Sequence, residues 1–236
     1  RDVKIDNHAI TPRNGKTVEL NALWYNALKI MARLAEKYEN KQLCRKYLEM
    51  AEKTKKSFDE KFYNEEKHCL YDVLGDSKVR PNQLFALSLS HPIVDNAEIA
   101  EQVLNTVENK LLNKYGLKTL SSDEDGYVDV YEGSAYRRDS SYHQGITWPW
   151  LLGLYYDALK NTMIIEKNRT KRQELEEKIT KLVYTTKETF KAEMFERSSI
   201  GTISEIYDST EPYEERGAFA QAWSVAEIFR IVLNKR

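Results

Sequence analysis

The chain has 236 residues, 41% of them hydrophobic and 31% charged, which fits one large globular domain or a piece of a larger one. A formal net charge of −1 gives no electrostatic case for nucleic acid or an anionic membrane as the main partner. The cysteines Cys44 and Cys69 cannot build a disulfide framework, no Cys/His cluster has metal-ligand spacing, and no apolar run approaches the roughly 20 residues of a membrane span. A reduced, cytoplasmic protein without metal or cofactor is therefore the expectation.

In chain order, residues 18–39 carry Leu20, Leu23, Trp24, Ala27, Leu28, Met31 and Leu34 at helical spacing, with Asn40 as the stop. A second amphipathic helix over 41–62 has Leu43, Tyr47, Met50, Ala51, Phe58 and Phe62 on one side. So short a connection predicts an antiparallel hairpin. Residues 63–79 read as strand-like pieces from Cys69 to Leu74 and a turn at Gly75-Asp76. Pro81 opens a helix to about Ser90, at a position where its missing N–H costs least, and Asp95 caps another to about Lys114. Residues 115–143 form the longest irregular stretch, and their aromatics and turn residues argue for an ordered, functional loop. Helices resume over 145–166 and 169–196, the second heavily charged (KRQELEEKITKLV) and therefore external. A second long loop covers 201–217, and 218–234 closes the chain as a helix.

About seven helices with hardly any strand predict an all-α architecture of stacked hairpins. No repeat period is visible, so a toroid of helical hairpins with its long loops gathered at one end fits better than a solenoid.

The chemistry-bearing segments are loops. Glycoside hydrolysis needs two carboxyls, and sugar rings suit the apolar faces and polar tips of Tyr and Trp. The chain holds 15 Tyr and 4 Trp, although for most of the tyrosines packing between helices is the better reading. Three segments combine acids with aromatics or imidazole: RDVKIDNHAITPRNGK (1–16), YRRDSSYHQGITWPW (136–150) and GTISEIYDSTEPYEERGA (201–218). Glu205 lies between Ile203 and Ile206, where partial burial would orient it. On spacing alone it is one of 37 acidic residues and a capping role wins. His143, between Tyr142 and Gln144, precedes Trp148 and Trp150; a lone histidine of this kind is more often structural than catalytic. Gly116 and Gly133 read as turn residues, and nothing resembles a phosphate-cradling loop.

Six segments in order, TPRNGKTVELNALWYNAL (11–28), RPNQLFALSL (80–89), YGLKTLS (115–121), YHQGITWPWLLG (142–153), GTISEIYD (201–208) and RGAFAQAWSVAEIFR (216–230), together resemble the C-terminal amylo-α-1,6-glucosidase domain of glycogen debranching enzymes. The resemblance covers nearly the whole chain. It implies an (α/α)6 toroid of which residues 1–236 are the C-terminal portion of a single glucosidase domain. Arg1 stands where an initiating Met would be, so the N-terminal helices of the toroid are expected to precede it. The apolar helix faces left open would then be covered by that missing part of the same protein.

The activity implied is inverting hydrolysis of α-1,6-glucosidic branch points in glycogen or related α-glucans, releasing glucose. The resemblance makes Asp2 the general acid and Glu205, in GTISE, the general base. It suggests Trp24, Trp148 and Trp223 as stacking platforms, with Asn21, Arg80, Asn82, Gln83, Lys118, His143, Gln144, Asp208 and Gln221 as substrate-binding groups, some of which only tie loops together. The family's Trp-Met pair before the acid is not matched, since Arg1 immediately precedes Asp2. Lys118 stands where Arg is usual, which keeps the charge and loses the bidentate fork, and Ser209 follows Asp208 where Gly is common. Alternatives are a related (α/α)6 hydrolase of a small α-glucoside such as trehalose or glucosylglycerate, a non-catalytic glycan-binding remnant, and, last, a helical scaffold.

Overall fold

A computed structural model describes residues 4–5, 7–197 and 200–233, with the backbone alone for His8. After a short antiparallel ribbon of β1 (Lys4–Ile5) and β2 (His8–Ala9), the apolar stripes fold as α1 (Val18–Lys37) and α2 (Lys41–Asp59), which pack on each other as a hairpin. Asn40 does not end α1. Its side chain instead accepts the Leu43 N–H at 3.1 Å and starts α2, because a free Asn oxygen satisfies a first-turn donor that the helix itself cannot.

A second ribbon, β3 (Tyr63–Asn64) with β4 (Cys69–Leu70), leads to a 3-10 turn at Pro81–Leu84 that continues as α3 (Phe85–Ser88). Helix α4 (Ala97–Lys110) is capped by Asn96, not Asp95: Asn96 Oδ1 takes the Glu98 and Ile99 N–H groups, while Asp95 pairs with Lys55 at 2.9 Å. Then follow α5 (Ala135–Ser141), α6 (Leu151–Ile165), α7 (Arg169–Glu196) and α8 (Ala222–Leu233). The protein is mostly helical, with eight α-helices among the described residues. The helix beyond the about seven expected is α5, one short element inside the 115–143 stretch.

The larger departure from the sequence reading is a five-stranded antiparallel sheet. Its order is β5 (Leu112–Asn113), β6 (Gly116–Lys118), β7 (Thr147–Trp148), β8 (Ile206–Tyr207) and β9 (Glu215–Arg216). Leu117 faces Trp148, Thr147 faces Tyr207, and Tyr207 faces Glu215. These strands are too short to show period-2 alternation, yet they bring the long loops into one register. Trp148, Glu205, Asp208 and Arg216 are thereby held within one small platform.

The core gathers around α6, which packs on α3, α4, α7 and α8 and buries Leu152, Tyr155, Tyr156, Ala158 and Leu159. By contrast, α1 leaves Leu20, Trp24, Met31 and Leu34 exposed, and α8 leaves Trp223, Phe229 and Leu233 exposed. Among the described residues no helix is long and apolar enough to cross a membrane.

Candidate active site

Short main-chain pairing brings the entry to α1 against residues 72–74. Val18 N–H donates to Asp72 O at 3.0 Å and Leu74 N–H to Lys16 O at 3.1 Å. Arg13 is thereby seated over Asp72, with Nε donating to Oδ2 at 2.6 Å and Nη2 to Oδ1 at 3.0 Å. Its other donors hold Glu19, Nη1 to Oε1 at 2.5 Å and Nη2 to Oε2 at 2.7 Å. Asn82 Nδ2 donates to Asp72 Oδ1 at 2.8 Å, and Arg80 Nε approaches Oδ2 at 3.9 Å.

The Asp72 side chain is 1% exposed. Burial pushes its carboxyl above the ordinary range, against the pull of Arg13, Asn82 and Arg80. Burial also works against the Arg13 charge, but the bonds to Glu19 and Asp72 outweigh it and hold the proton more tightly than usual. In Arg80 burial wins and the value falls.

Arg80 is the tie between loops. Nη1 donates to Thr119 O at 3.1 Å and His143 O at 2.7 Å, and Nη2 to Gln144 Oε1 at 2.6 Å. Beyond it stands an aromatic wall: His143 stacks on Trp148 at 5.6 Å, Trp148 meets Trp223 edge-on at 6.0 Å, and Trp150 stacks on Trp223 at 5.6 Å. A cleft of about 430 Å³ lies between the wall and the polar network. Of the residues expected from the sequence, Arg80, Asn82, His143, Trp148 and Trp223 line it, joined by Thr11, Arg13, Glu19 and Trp150. Gln144 sits under it, bonded to Arg80 and, through Nε2, to Ile10 O at 3.4 Å.

Glu205 is not among the residues that line this cleft and is linked to it through Tyr142. Its N–H donates to Ala218 O at 2.8 Å, and Ala218 N–H returns to Oε2 at 2.9 Å. Tyr142 Oη donates to Oε1 at 2.5 Å. The same Tyr142 ring packs edge-on against Trp148 at 4.9 Å, and its carbonyl accepts the Trp148 indole N–H at 3.3 Å. Burial, then the bond to Glu205, raises the Tyr142 hydroxyl well above its ordinary value, so it stays a donor at every working pH. A Cβ on Gly217 would come within 2.5 Å of Glu205 Oε2, and Gly217 has φ +70°. Only glycine lets the chain pass this carboxylate so closely.

The remaining expected residues lie elsewhere. Asp208, buried, accepts Tyr131 N–H at 2.8 Å and the Arg216 Nη2 at 2.9 Å, which fixes the loop after β8. Gln83, also buried, accepts Leu70 N–H and donates to Arg80 O. Lys118 Nζ stands 5.7 Å over the Tyr127 ring, its value lowered by burial. Asn21 donates to Thr17 O at 2.7 Å, Gln221 N–H donates to Ile203 O at 3.0 Å, and Trp24 is 51% exposed on α1 away from the cleft lining. Asp2 lies outside the described residues. Among the described residues no group of three His, Cys, Asp or Glu could hold a metal ion.

Arg13, Glu19, Asp72, Tyr142 and Trp150 were not singled out from the sequence as site residues. Arg13 and Glu19 sit in the 11–28 segment, and Tyr142 and Trp150 in 142–153, so the motifs contained them. Asp72, inside the apolar run Leu70 to Leu74, carried only the signal of an acid where a polar group needs a partner.

Residues 1–230 match the family described as amylo-alpha-1,6-glucosidase. Among solved structures, the chain is similar to a sialidase (TM-score 0.68, 14% identity, 93% of this chain and 20% of that one). It is similar to an uncharacterized conserved protein from Thermus thermophilus (0.60, 14%, 93% and 46%). A third likeness is to a GH63 mannosylglycerate hydrolase from the same organism, solved in complex with Tris (0.52, 12%, 93% and 45%). At such identities the likeness concerns the fold alone. The chain spans less than half the length of each of these three structures.

Proposed function

The chain belongs to the amylo-α-1,6-glucosidase family, a family of glycoside hydrolases, and from that membership we propose that it works as an inverting glycosidase releasing glucose from α-1,6 branch points of an α-glucan, on helices that form part of an (α/α)6 toroid. The observation that carries this proposal is the Glu205 carboxylate, held at both oxygens by Tyr142 and the Ala218 N–H, with the Tyr142 ring packed edge-on against Trp148 of the cleft lining. Trp150 and Trp223 offer indole surface for the C–H side of a pyranose, Trp148 being only 4% exposed under His143 and backing them rather than stacking, while Asn82, Glu19 and Arg13 offer hydrogen-bonding groups to its hydroxyls on the other side.

In the mechanism, Asp2 gives its proton to the glycosidic oxygen as the bond to the anomeric carbon breaks. Glu205 takes a proton from a water that attacks that carbon on the opposite face, and β-glucose leaves. Inversion requires roughly 6.5–9.5 Å between the two carboxyls, enough for the water. Asp2 is assigned by its place ahead of the TPRNGK segment, and Glu205 by GTISE.

The sugar class is tested by incubating the full-length protein with a branched limit dextrin, with trehalose and with glucosylglycerate. Glucose from the dextrin alone supports the debranching activity. Turnover of trehalose or glucosylglycerate alone moves the assignment to a small-glucoside hydrolase. Maltosaccharide binding with no turnover of any of the three identifies a glycan-binding protein.

A further inference from the structure

We propose that Tyr142 is the positioning residue of the Glu205 carboxylate, its hydroxyl fixing the rotation of that group toward the attacking water. This rests on Glu205 being the base.

Tyr142 Oη lies at hydrogen-bond distance from Glu205 Oε1 and donates to it. The other oxygen is taken by the Ala218 N–H, so both ends of the carboxylate are fixed from the protein side. Only the remaining lone pairs are left to accept a water. Tyr142 is itself immobilised: its ring packs against Tyr131 at 5.7 Å and Trp148 at 4.9 Å, and its carbonyl holds the Trp148 indole. A tyrosine used only to fill space would not need its hydroxyl at hydrogen-bond distance from this oxygen, and a phenylalanine would pack the same ring.

The hydroxyl separates the two roles. Tyr142→Phe keeps the ring and removes the donor. A hydrogen bond to a charged group is strong enough that its loss should lower kcat by about 10-fold to 100-fold. KM should stay within about twofold, because the donor does not touch the sugar. Site-specific 3-fluorotyrosine at position 142, which keeps a donor in nearly the same shape, should restore kcat.

These measurements are made in the full-length protein alongside Glu205→Gln. If Glu205→Gln is inactive while Tyr142→Phe keeps its kcat, the positioning role is overturned and the base assignment stands. If Glu205→Gln turns over normally, the base assignment itself has failed. Should Tyr142→Phe fold poorly by thermal melting, kcat is measured per folded molecule below its melting midpoint, and a wild-type value there overturns the proposal.

Discussion

Arg13 and Asp72, 59 residues apart in the chain, meet guanidinium to carboxylate at 2.6 and 3.0 Å under the cleft. The pair joins the segment entering α1 to the loop after β4, and Asn82 and Arg80 close on the same acid. It is one contact that turns two remote loops into a single wall.

Replacing Asp72 by Asn should therefore be costly although the shapes match. It leaves Arg13 and Arg80 with a lost countercharge, and breaking one side of a buried pair costs about 3 kcal/mol. Chemical denaturation should show a lower midpoint with an unchanged slope. A wild-type midpoint would mean that the network is held by its other bonds and that Asp72 is dispensable.

Gly217 makes a second, independent prediction. Gly217→Ala adds a methyl at 2.5 Å from Glu205 Oε2 and places Ala at φ +70°. The backbone strain should destabilise the protein by about 1–2 kcal/mol. Displacement of the carboxylate should lower kcat by about 100-fold, as misplacement of a reacting group by an ångström can. Full activity in Gly217→Ala would show that the carboxylate has room to move without consequence.

The pH dependence of stability is set partly by Glu193 on α7. It is buried against Tyr207, whose Oη donates to Oε1 at 2.8 Å, and burial, with the facing Glu215 carboxyl that shares its proton, pushes its carboxyl up to about 7. Arg197 Nε stands 3.7 Å from Glu193 Oε2 and 2.8 Å from Glu215 Oε1. The folded state thus keeps a proton that the unfolded chain, at an ordinary value of 4.5, releases. Between these two values folding binds more protons, so the stabilising contribution is full below about 4.5 and is lost as the pH rises through about 7. Melting temperature should fall across that window, and Glu193→Gln should flatten the fall. An equal slope in the variant would place the titration elsewhere.

How much of this was legible in the sequence differs by element. The boundaries of α7 could be read because its charged face and narrow apolar stripe run without interruption from Arg169 to Glu196. Helix α6 starts at Leu151 rather than near residue 145 because Thr147 and Trp148 pair into the sheet, and pairing with Leu117 and Tyr207 depends on residues far away in the chain. The capping roles of Asn40 and Asn96 were not legible, since Asn, Asp and neighbouring polar residues satisfy a first turn almost equally well. In the site, Trp148, Trp223, Arg80 and Asn82 came from motifs. Asp72 and the Tyr142 contact did not, because a single buried acid or a tyrosine hydroxyl has no spacing signature: its partner is set by the fold.

The most direct measurement is the anomer formed first. Proton NMR on freshly mixed full-length protein and a branched α-glucan should show the β-glucose signal rising ahead of mutarotation, and Glu205→Gln should abolish it while retaining the wild-type melting profile and sugar binding. Appearance of α-glucose first, or sustained glucose release by Glu205→Gln, would contradict a water activated by this carboxylate on the far face of the sugar.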